Sequence, residues 1–500
     1  MKLSWCGLAI VILVAAACGS DGAGFRRGGG GTSGGTSGGT SGAAGAAGNR
    51  WTGTVGPPNR NLDLLFLIDD SSGMRLAQTN LLNNFPTFIT SLQSAPQGLP
   101  NIHIAVVSQD MGAGDGSVAG CDSTGGKKGI FQYTAKGLCT ATNLQAGATF
   151  ISNIGGAANY TGNLADVFTC IAALGSTGCG FEHQFAAILR ALGADGSPAP
   201  AENQGFLRPE AALAIVMLSD EDDCSAAPGV LLYDTASNTN IASQLGPPSN
   251  FRCNEFGHVC TMGGGPYAHP VRKAPNNDVT ATVSYDQCVS NDTEGYLLSV
   301  KDTADRLKSL KVDPSLVFFT AIQGPPTPYT VHWKMPSTAD TSCGAASCPW
   351  PEISHSCTAT DGSFADPGVR EAALAQQFGS NGLVLSICDS SFAPALERIA
   401  QMLGSGASGP LCLAGPVGAN ASGAPDCKVT QQIGSVSQTV SACADNGNVA
   451  PCWQLQTTAS CGLGPTLLVS EDPNVLAAAS ATVTYSCAKC TAANPTFDCY

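Results

Sequence analysis

Two runs constrain this chain more than anything else in it: "LDLLFLID" at residues 62–69 and "ALAIVMLSD" at residues 212–220. Neither alternates apolar with polar side chains, so neither suits a strand with one face in water. Continuous apolar strands belong in a parallel sheet covered by helices on both faces. Helical stretches fall between such strands, at 75–92, 164–174, 181–192, 296–310 and 392–403. Further strands read at "IHIAVVS" (102–108), "SLVFFTAI" (315–322) and "GLVLSI" (382–387). Pro86 should kink or divide the first helix. This order predicts an α/β fold, an open, doubly wound, mostly parallel sheet whose ligands bind at the carboxyl ends of the strands.

Composition sets the surroundings of that sheet. The chain has 500 residues, more than one ordinary domain needs, and 43% are hydrophobic, enough for a sizeable core. A net charge of −14 argues against nucleic-acid binding and against adhesion to an anionic lipid surface.

The first 18 residues predict export. Lys2 precedes an apolar run from Leu3 to Ala17, too short to span a membrane and suited to a signal peptide. It ends in "VAAACGS", residues 14–20, which resembles the lipobox of bacterial lipoproteins, with Ala15 where a Leu is usual. The resemblance implies lipidation at Cys18 and a place at the outer membrane or cell surface. Ordinary cleavage after Ala17 would instead release a secreted protein. Of 22 Cys, Cys6 leaves with the signal peptide; a lipidated Cys18 leaves an even number to pair. Residues 19–61 read as a flexible tether, because repeats such as "GGTSGGTSGGTS" at 30–41 bury no apolar surface. The G-x-S-x-G match at Gly31–Gly35 has neither strand nor helix around it and carries no hydrolase chemistry.

Residues 62–403, within a domain expected over 62–408, carry a family resemblance. "LFLIDDSSGM", residues 65–74, resembles the first metal-binding segment of von Willebrand factor type A domains, an Asp-x-Ser-x-Ser pattern after the central strand. "LAIVMLSDEDDCS", residues 213–225, resembles the strand and third-loop Asp of that family, and is closer still to a group of tethered bacterial surface lipoproteins. "TGCGFEHQFAAILRAL" (177–192) and "GLVLSICDSSFAPALERIA" (382–400) resemble the second loop with its helix, and the last strand with its helix. The resemblance implies one divalent cation, Mg²⁺ or Ca²⁺, held by hydroxyls and carboxylates, with an open position for the carboxylate of an unidentified protein ligand.

Carried over residue by residue, Asp69, Ser71 and Asp220 match that site. Gly73 stands in place of the second Ser and offers no side-chain ligand. Glu182 falls nearest the position of the second-loop Thr, with Thr177 as the alternative. Two readings stand at this point. One is a modified metal site of Asp69, Ser71, Glu182 and Asp220. In the other, the two Asp only satisfy loop amides and cap the following helices. Asp70 reads as exposed, and Glu221-Asp222-Asp223 as a solvated loop.

The remaining Cys read as staples of long loops. Cys121, Cys139 and Cys170 lie before the second-loop motif and Cys179 within it; Cys224, Cys253, Cys260 and Cys288 lie in an insertion after Asp220; Cys343, Cys348 and Cys357 precede Cys388. Nearest-neighbour pairing is the natural expectation, although sequence does not decide connectivity. Residues 409–500 predict a small Cys-rich, β-rich module, in which Cys487-Ala-Lys-Cys490 reads as disulfide chemistry before zinc. None of the six His (His103, His183, His258, His269, His332, His355) sits in a metal-binding spacing, and no phosphate-cradling loop precedes a helix, so the expectation is a binding protein, not an enzyme.

Overall fold

The computed structural model describes residues 50–490, except 56–60, 95–97, 114–117, 119, 122–124, 345–346, 407–410, 414, 434–435, 448, 450, 457–464 and 471–480. Cys18, the signal peptide and residues 19–49 of the expected tether lie outside the described residues.

A strand, β1 (Arg50–Val55), comes first and belongs to the C-terminal module. The α/β domain follows with β2 (Asn61–Ile68), α1 (Arg75–Gln93), β3 (Asn101–Ser108), β4 (Ile151–Ile154), β5 (Ala157–Ala158), α2 (Leu164–Ala172), α3 (Gln184–Leu192) and β6 (Ala212–Leu218). An insertion then contributes α4 (Phe251–Gly257), β7 (His258–Thr261), β8 (Thr282–Tyr285) and β9 (Gln287–Ser290) before α5 (Val300–Lys308) and β10 (Val317–Gln323). A second insertion holds β11 (Tyr329–Lys334), β12 (Trp350–Ile353), β13 (Cys357–Thr358) and β14 (Phe364–Ala365). The domain closes with α6 (Val369–Gln377), β15 (Gly382–Ser386) and α7 (Ala393–Gly406).

The central sheet runs β15-β10-β6-β2-β3-β4-β5, parallel from β15 to β3 and antiparallel at β4 and β5. On β2, Leu64, Phe66 and Ile68 face a core with Phe85 and Phe88 of α1, Phe168 of α2 and Leu396 of α7. Leu65 and Leu67 face the other side, against Phe185 and Ile188 of α3, Ala304 of α5 and Leu374 of α6. Helices on both faces are the physical reason for runs without alternation. This is the fold class that the two runs predict.

Pro86 does not divide α1, which runs unbroken from Arg75 to Gln93. Leu81, Phe85, Phe88, Ile89 and Leu92 are all buried along one face, and that packing holds the helix across the proline. The expected tether boundary at residue 61 is corrected too. Arg50–Val55 pairs antiparallel with the last described strand of the chain, in register from Arg50↔Ala488 to Val55↔Val483.

The module comprises β16 (Leu411–Cys412), β17 (Cys427–Ile433), β18 (Val436–Ala442), β19 (Cys452–Gln456), β20 (Thr466–Ser470) and β21 (Ala481–Ala488). Its sheet order is β1-β21-β17-β18-β19-β20-β16. The α/β domain is therefore inserted between the first strand of the module and the rest. Arg50 reinforces the closure, with its guanidinium donating to both oxygens of Asp426 at 3.0 and 3.2 Å and to Ser486 Oγ at 2.8 Å.

Disulfides fasten the loops. Cys224–Cys253, Cys260–Cys288, Cys343–Cys348 and Cys357–Cys388 join nearest neighbours as expected. Two pairs depart from that expectation: Cys121 joins Cys179, and Cys139 joins Cys170. The fold nests these pairs because the loop after β3 returns across the carboxyl end of the sheet, where Cys179 lies. In the module Cys427 pairs with Cys487 across β17 and β21, and Cys443 pairs with Cys452.

Candidate functional site

The winding of the sheet selects one place. From β2 the chain passes to β3 on one side, then returns to add β6 on the other, so the order reverses at β2. In an open α/β sheet, ligands bind at the carboxyl ends beside such a switch point. Asp69 and Asp220 follow β2 and β6 at that place, aligned by the pairing of Ile68 with Leu218.

Asp69 is fully buried and well provided with donors. Its Oδ1 accepts from Ser71 N at 2.7 Å and Gln109 Nε2 at 3.3 Å, and its Oδ2 accepts from Ser219 Oγ at 2.7 Å. Its neighbours are not. Among the described residues, Ser71 Oγ, Glu182 Oε1 and Asp220 Oδ1 are buried without a hydrogen-bond partner. Glu182 lies in coil before α3, which begins at Gln184 and not at residue 181, so its carboxyl turns to the site. Thr177 is exposed; the second loop reaches the two Asp through Glu182.

Four carboxyls share this buried space. Burial, and then the charges of Glu221 and Asp69, push the Glu182 carboxyl well above its usual range. Burial and the Asp69 charge do the same to Asp220. Glu221, which hydrogen-bonds to Glu182, is pushed up to about 8 by burial and the charge of Asp366. Burial also raises Asp69, against its hydrogen bonds. Among the described residues no three His, Cys, Asp or Glu converge as a ready-made metal cage. The orphaned donor set is mixed, one hydroxyl and two carboxylates, and hard oxygen of this kind suits Mg²⁺ or Ca²⁺ with water filling the remaining positions.

Gly73 has φ +121°, and a Cβ there would lie 2.9 Å from Asp220 Oδ2. The glycine omits a hydroxyl and also makes room for the Asp220 carboxylate. A serine would crowd the Asp220 carboxylate.

Three glutamines that sequence reasoning passed over hold the loops together. Gln78 of α1 donates to Asp69 O at 2.8 Å and to Gly175 O at 2.7 Å. Gln109 donates to Cys179 O at 2.8 Å and accepts from His183 N at 3.1 Å. Gln184 donates to Ser219 Oγ at 2.9 Å and Glu221 O at 3.0 Å. Gln carries no pattern that separates these positions from ordinary polar surface, so no sequence cue marks them.

Two further expectations are corrected. Asp70 is buried, not exposed: its Oδ1 accepts from Ser108 Oγ at 2.6 Å and its Oδ2 pairs with Lys127. Burial, with the nearby Lys136 charge, lowers the Lys127 ammonium to about 8. Glu221-Asp222-Asp223 is not a solvated loop either. Asp223 Oδ1 accepts from Phe185 N at 3.0 Å in the first turn of α3. Asp222 accepts from Val369 N at 2.9 Å and Arg370 N at 3.0 Å at the start of α6. Asp223 and Asp222 thus cap α3 and α6, while Asp69 accepts from a loop amide, that of Ser71. His183 is buried beside Tyr233, and burial lowers its imidazole to about 4.

The doubly wound sheet is the fold class that the family resemblance implies. The fold is α/β, an open, doubly wound, mostly parallel sheet. No family model matches the chain, and no curated protein matches it. Among solved structures it is similar to the pilus adhesin SpaC from Lactobacillus rhamnosus GG, at 12% identity and a TM-score of 0.28, over 90% of this chain and 43% of that one. It is similar to a von Willebrand factor type A protein from Catenulispora acidiphila, at 11% identity and a TM-score of 0.27, over 85% of this chain and 57% of that one. The type A domain of the type V pili tip protein Mfa5 from Porphyromonas gingivalis gives 13% identity and a TM-score of 0.29, over 70% of this chain and 96% of that one. The chain thus spans less than two thirds of the first two proteins. Among the described residues no helix is long and apolar enough to cross a membrane.

Proposed function

We propose that this is a cell-surface binding protein that uses a divalent cation, Mg²⁺ or Ca²⁺, at the carboxyl end of β2 and β6. A partner's carboxylate completes the coordination. One observation carries this reading: Ser71 Oγ, Glu182 Oε1 and Asp220 Oδ1, from three separate loops, are buried at one site without partners. Each such oxygen costs about 1–3 kcal/mol, and a cation would satisfy all three. Burial and mutual repulsion push the Glu182 and Asp220 carboxyls well above their usual range, and a bound cation would favour their charged forms. Glu182 in place of a hydroxyl adds negative charge, which moves preference toward Ca²⁺. The reading is of a binding protein and not a catalyst. Isothermal titration of the chain with Mg²⁺, Mn²⁺ and Ca²⁺ tests it, and no uptake at millimolar cation overturns it.

A second reading has its own support. Asp69 finds three donors within the protein, so an inert type A fold in a structural envelope protein needs no metal at that residue. The same titration separates the two. Anchoring through a lipid on Cys18, with the tether holding the domain clear of the outer membrane, completes the proposal. Replacing Cys18 with Ser should move the protein from the membrane fraction to the soluble one; retention in the membrane would remove the anchor from the proposal.

A further inference from the structure

The oxygens offered to the cation lie just beneath the surface but are closed off from it. Ser71 is 2% exposed, Glu182 1% and Asp220 7%, although Ser72 and Gly73, next to Ser71, are exposed. A carboxylate from another molecule therefore reaches a cation here only after something in this chain moves. Glu221 is the outermost of the four carboxyls, half-buried where Asp69, Glu182 and Asp220 are buried. Its carboxyl hydrogen-bonds to that of Glu182, whose Oε1 is orphaned. Two carboxyls in contact repel unless a proton or a cation is shared between them.

Several contacts fix Glu221 in that position. Its carbonyl accepts from Ser219 Oγ at 2.9 Å and from Gln184 Nε2 at 3.0 Å, which ties its backbone to the groups around Asp69. Its Oε2 accepts from Asn250 Nδ2 at 2.6 Å. Asn250 stands at the start of α4 but makes no side-chain cap bond to that helix, so its amide is directed to Glu221. Cys253, three residues after Asn250, is bonded to Cys224, three residues after Glu221. The disulfide closes holder and held into one short covalent circuit.

We propose that Glu221 completes the coordination of the cation in the resting protein, in the place that a partner's carboxylate takes on docking. The proposal rests on the cation reading and adds its regulation. The site is capped from within the chain, Asn250 is the latch, and a partner docks by displacing Glu221. A carboxylate tethered in the same chain competes as if present at about millimolar concentration or more. Free acids are therefore excluded, and a partner displaces Glu221 only by adding contacts of its own.

Terbium(III), a luminescent stand-in for Ca²⁺, tests this on the full chain, because its emission lifetime in H₂O against D₂O counts the waters on the bound ion. In Glu221→Ala the ion should gain about one water, since a lost carboxylate oxygen is replaced by solvent. Calorimetry with sodium acetate should then show binding to the loaded variant about ten-fold tighter than to the loaded parent, as removal of a tethered competitor implies. Asn250→Ala keeps the carboxylate and removes the latch, so its water count should match the parent while acetate binds several-fold more tightly. Circular dichroism checks that each variant is folded. Equal water counts in the parent and Glu221→Ala, or acetate bound equally by both, would overturn the proposal while leaving the cation reading intact. No terbium emission from the parent is a different outcome, which removes the cation reading and this proposal with it.

Discussion

At φ +121° and with Asp220 Oδ2 in the place a side chain would take, Gly73 ties backbone geometry to site chemistry. Restoring the hydroxyl of the family pattern by Gly73→Ser should therefore weaken the protein. A loss of about 1–3 kcal/mol is expected from the strained backbone and the crowded carboxylate, measured by urea unfolding. Tighter cation binding at unchanged stability would show that Asp220 is free to move aside. The carboxyls beside it make a pH prediction. Glu182, Asp220 and Glu221 have folded pKa values raised above the ordinary ones, Glu221 to about 8. A raised carboxyl binds its proton more tightly when folded. Its contribution is full below the ordinary value of 4.5 and is lost as pH rises through about 8. In EDTA the melting temperature should fall across that window. Added Ca²⁺ or Mg²⁺, which needs the deprotonated forms, should restore it most at the alkaline end. A flat profile in EDTA would mean that the site carries no such protons.

The loop after β6 does more than present Asp220. Asp223 caps α3 and pairs with the buried guanidinium of Arg370 at 3.2 Å, while Asp222 caps α6 and accepts from His258 Nε2 at 2.7 Å. One short acidic segment thus fixes the starts of two helices on one face of the sheet, where a carboxylate also meets the positive end of the helix dipole. Asp223→Ala removes the nearer counter-charge of the buried Arg370, leaving Asp292 at 3.9 Å, and should cost about 3 kcal/mol in chemical unfolding. Glu371, in the first turn of α6, is different. Burial and the Asp222 charge push its carboxyl well above the usual range, which favours its neutral form. Glu371→Gln keeps a neutral donor there and should change stability by no more than about 1 kcal/mol, roughly one hydrogen bond's worth. If Asp223→Ala unfolds like the parent protein, the loop does not organise these helices.

For the whole molecule, the insertion of the α/β domain into the module decides how the ends behave. A chain beginning at Asn61 lacks β1 and with it the six paired positions on β21 and the contacts of Arg50 with Asp426 and Ser486. Amide exchange should then quicken in β21 and β17 while β2, β6 and β10 keep their protection, measured by hydrogen exchange with mass spectrometry. Uniform protection in the truncated chain would mean that β1 is dispensable. The bridges act more widely. Cys224–Cys253, Cys260–Cys288 and Cys357–Cys388 close loops of 29, 28 and 31 residues, each about 3–4 kcal/mol in the chain-entropy account. Alkylation of the unfolded, unreduced chain should label none of these cysteines, and reduction should lower the melting temperature.

The sheet was legible in the residues because burial on both faces demands runs without polar interruption, and "LDLLFLID" and "ALAIVMLSD" have them. Asp69, Ser71, Glu182 and Asp220 are singled out through the family resemblance, and the winding of the strands places Asp69 and Asp220 at neighbouring strand ends. Other features depend on contacts far apart in the chain, which local pattern does not encode. Asp70 is buried because Lys127, on a distant loop, reaches it, and Cys121 pairs with Cys179 because that same loop folds back over the site. The unbroken helix through Pro86 follows from its packed face. Arg50–Val55 is a strand only because β21, more than four hundred residues later, offers an edge for it to join.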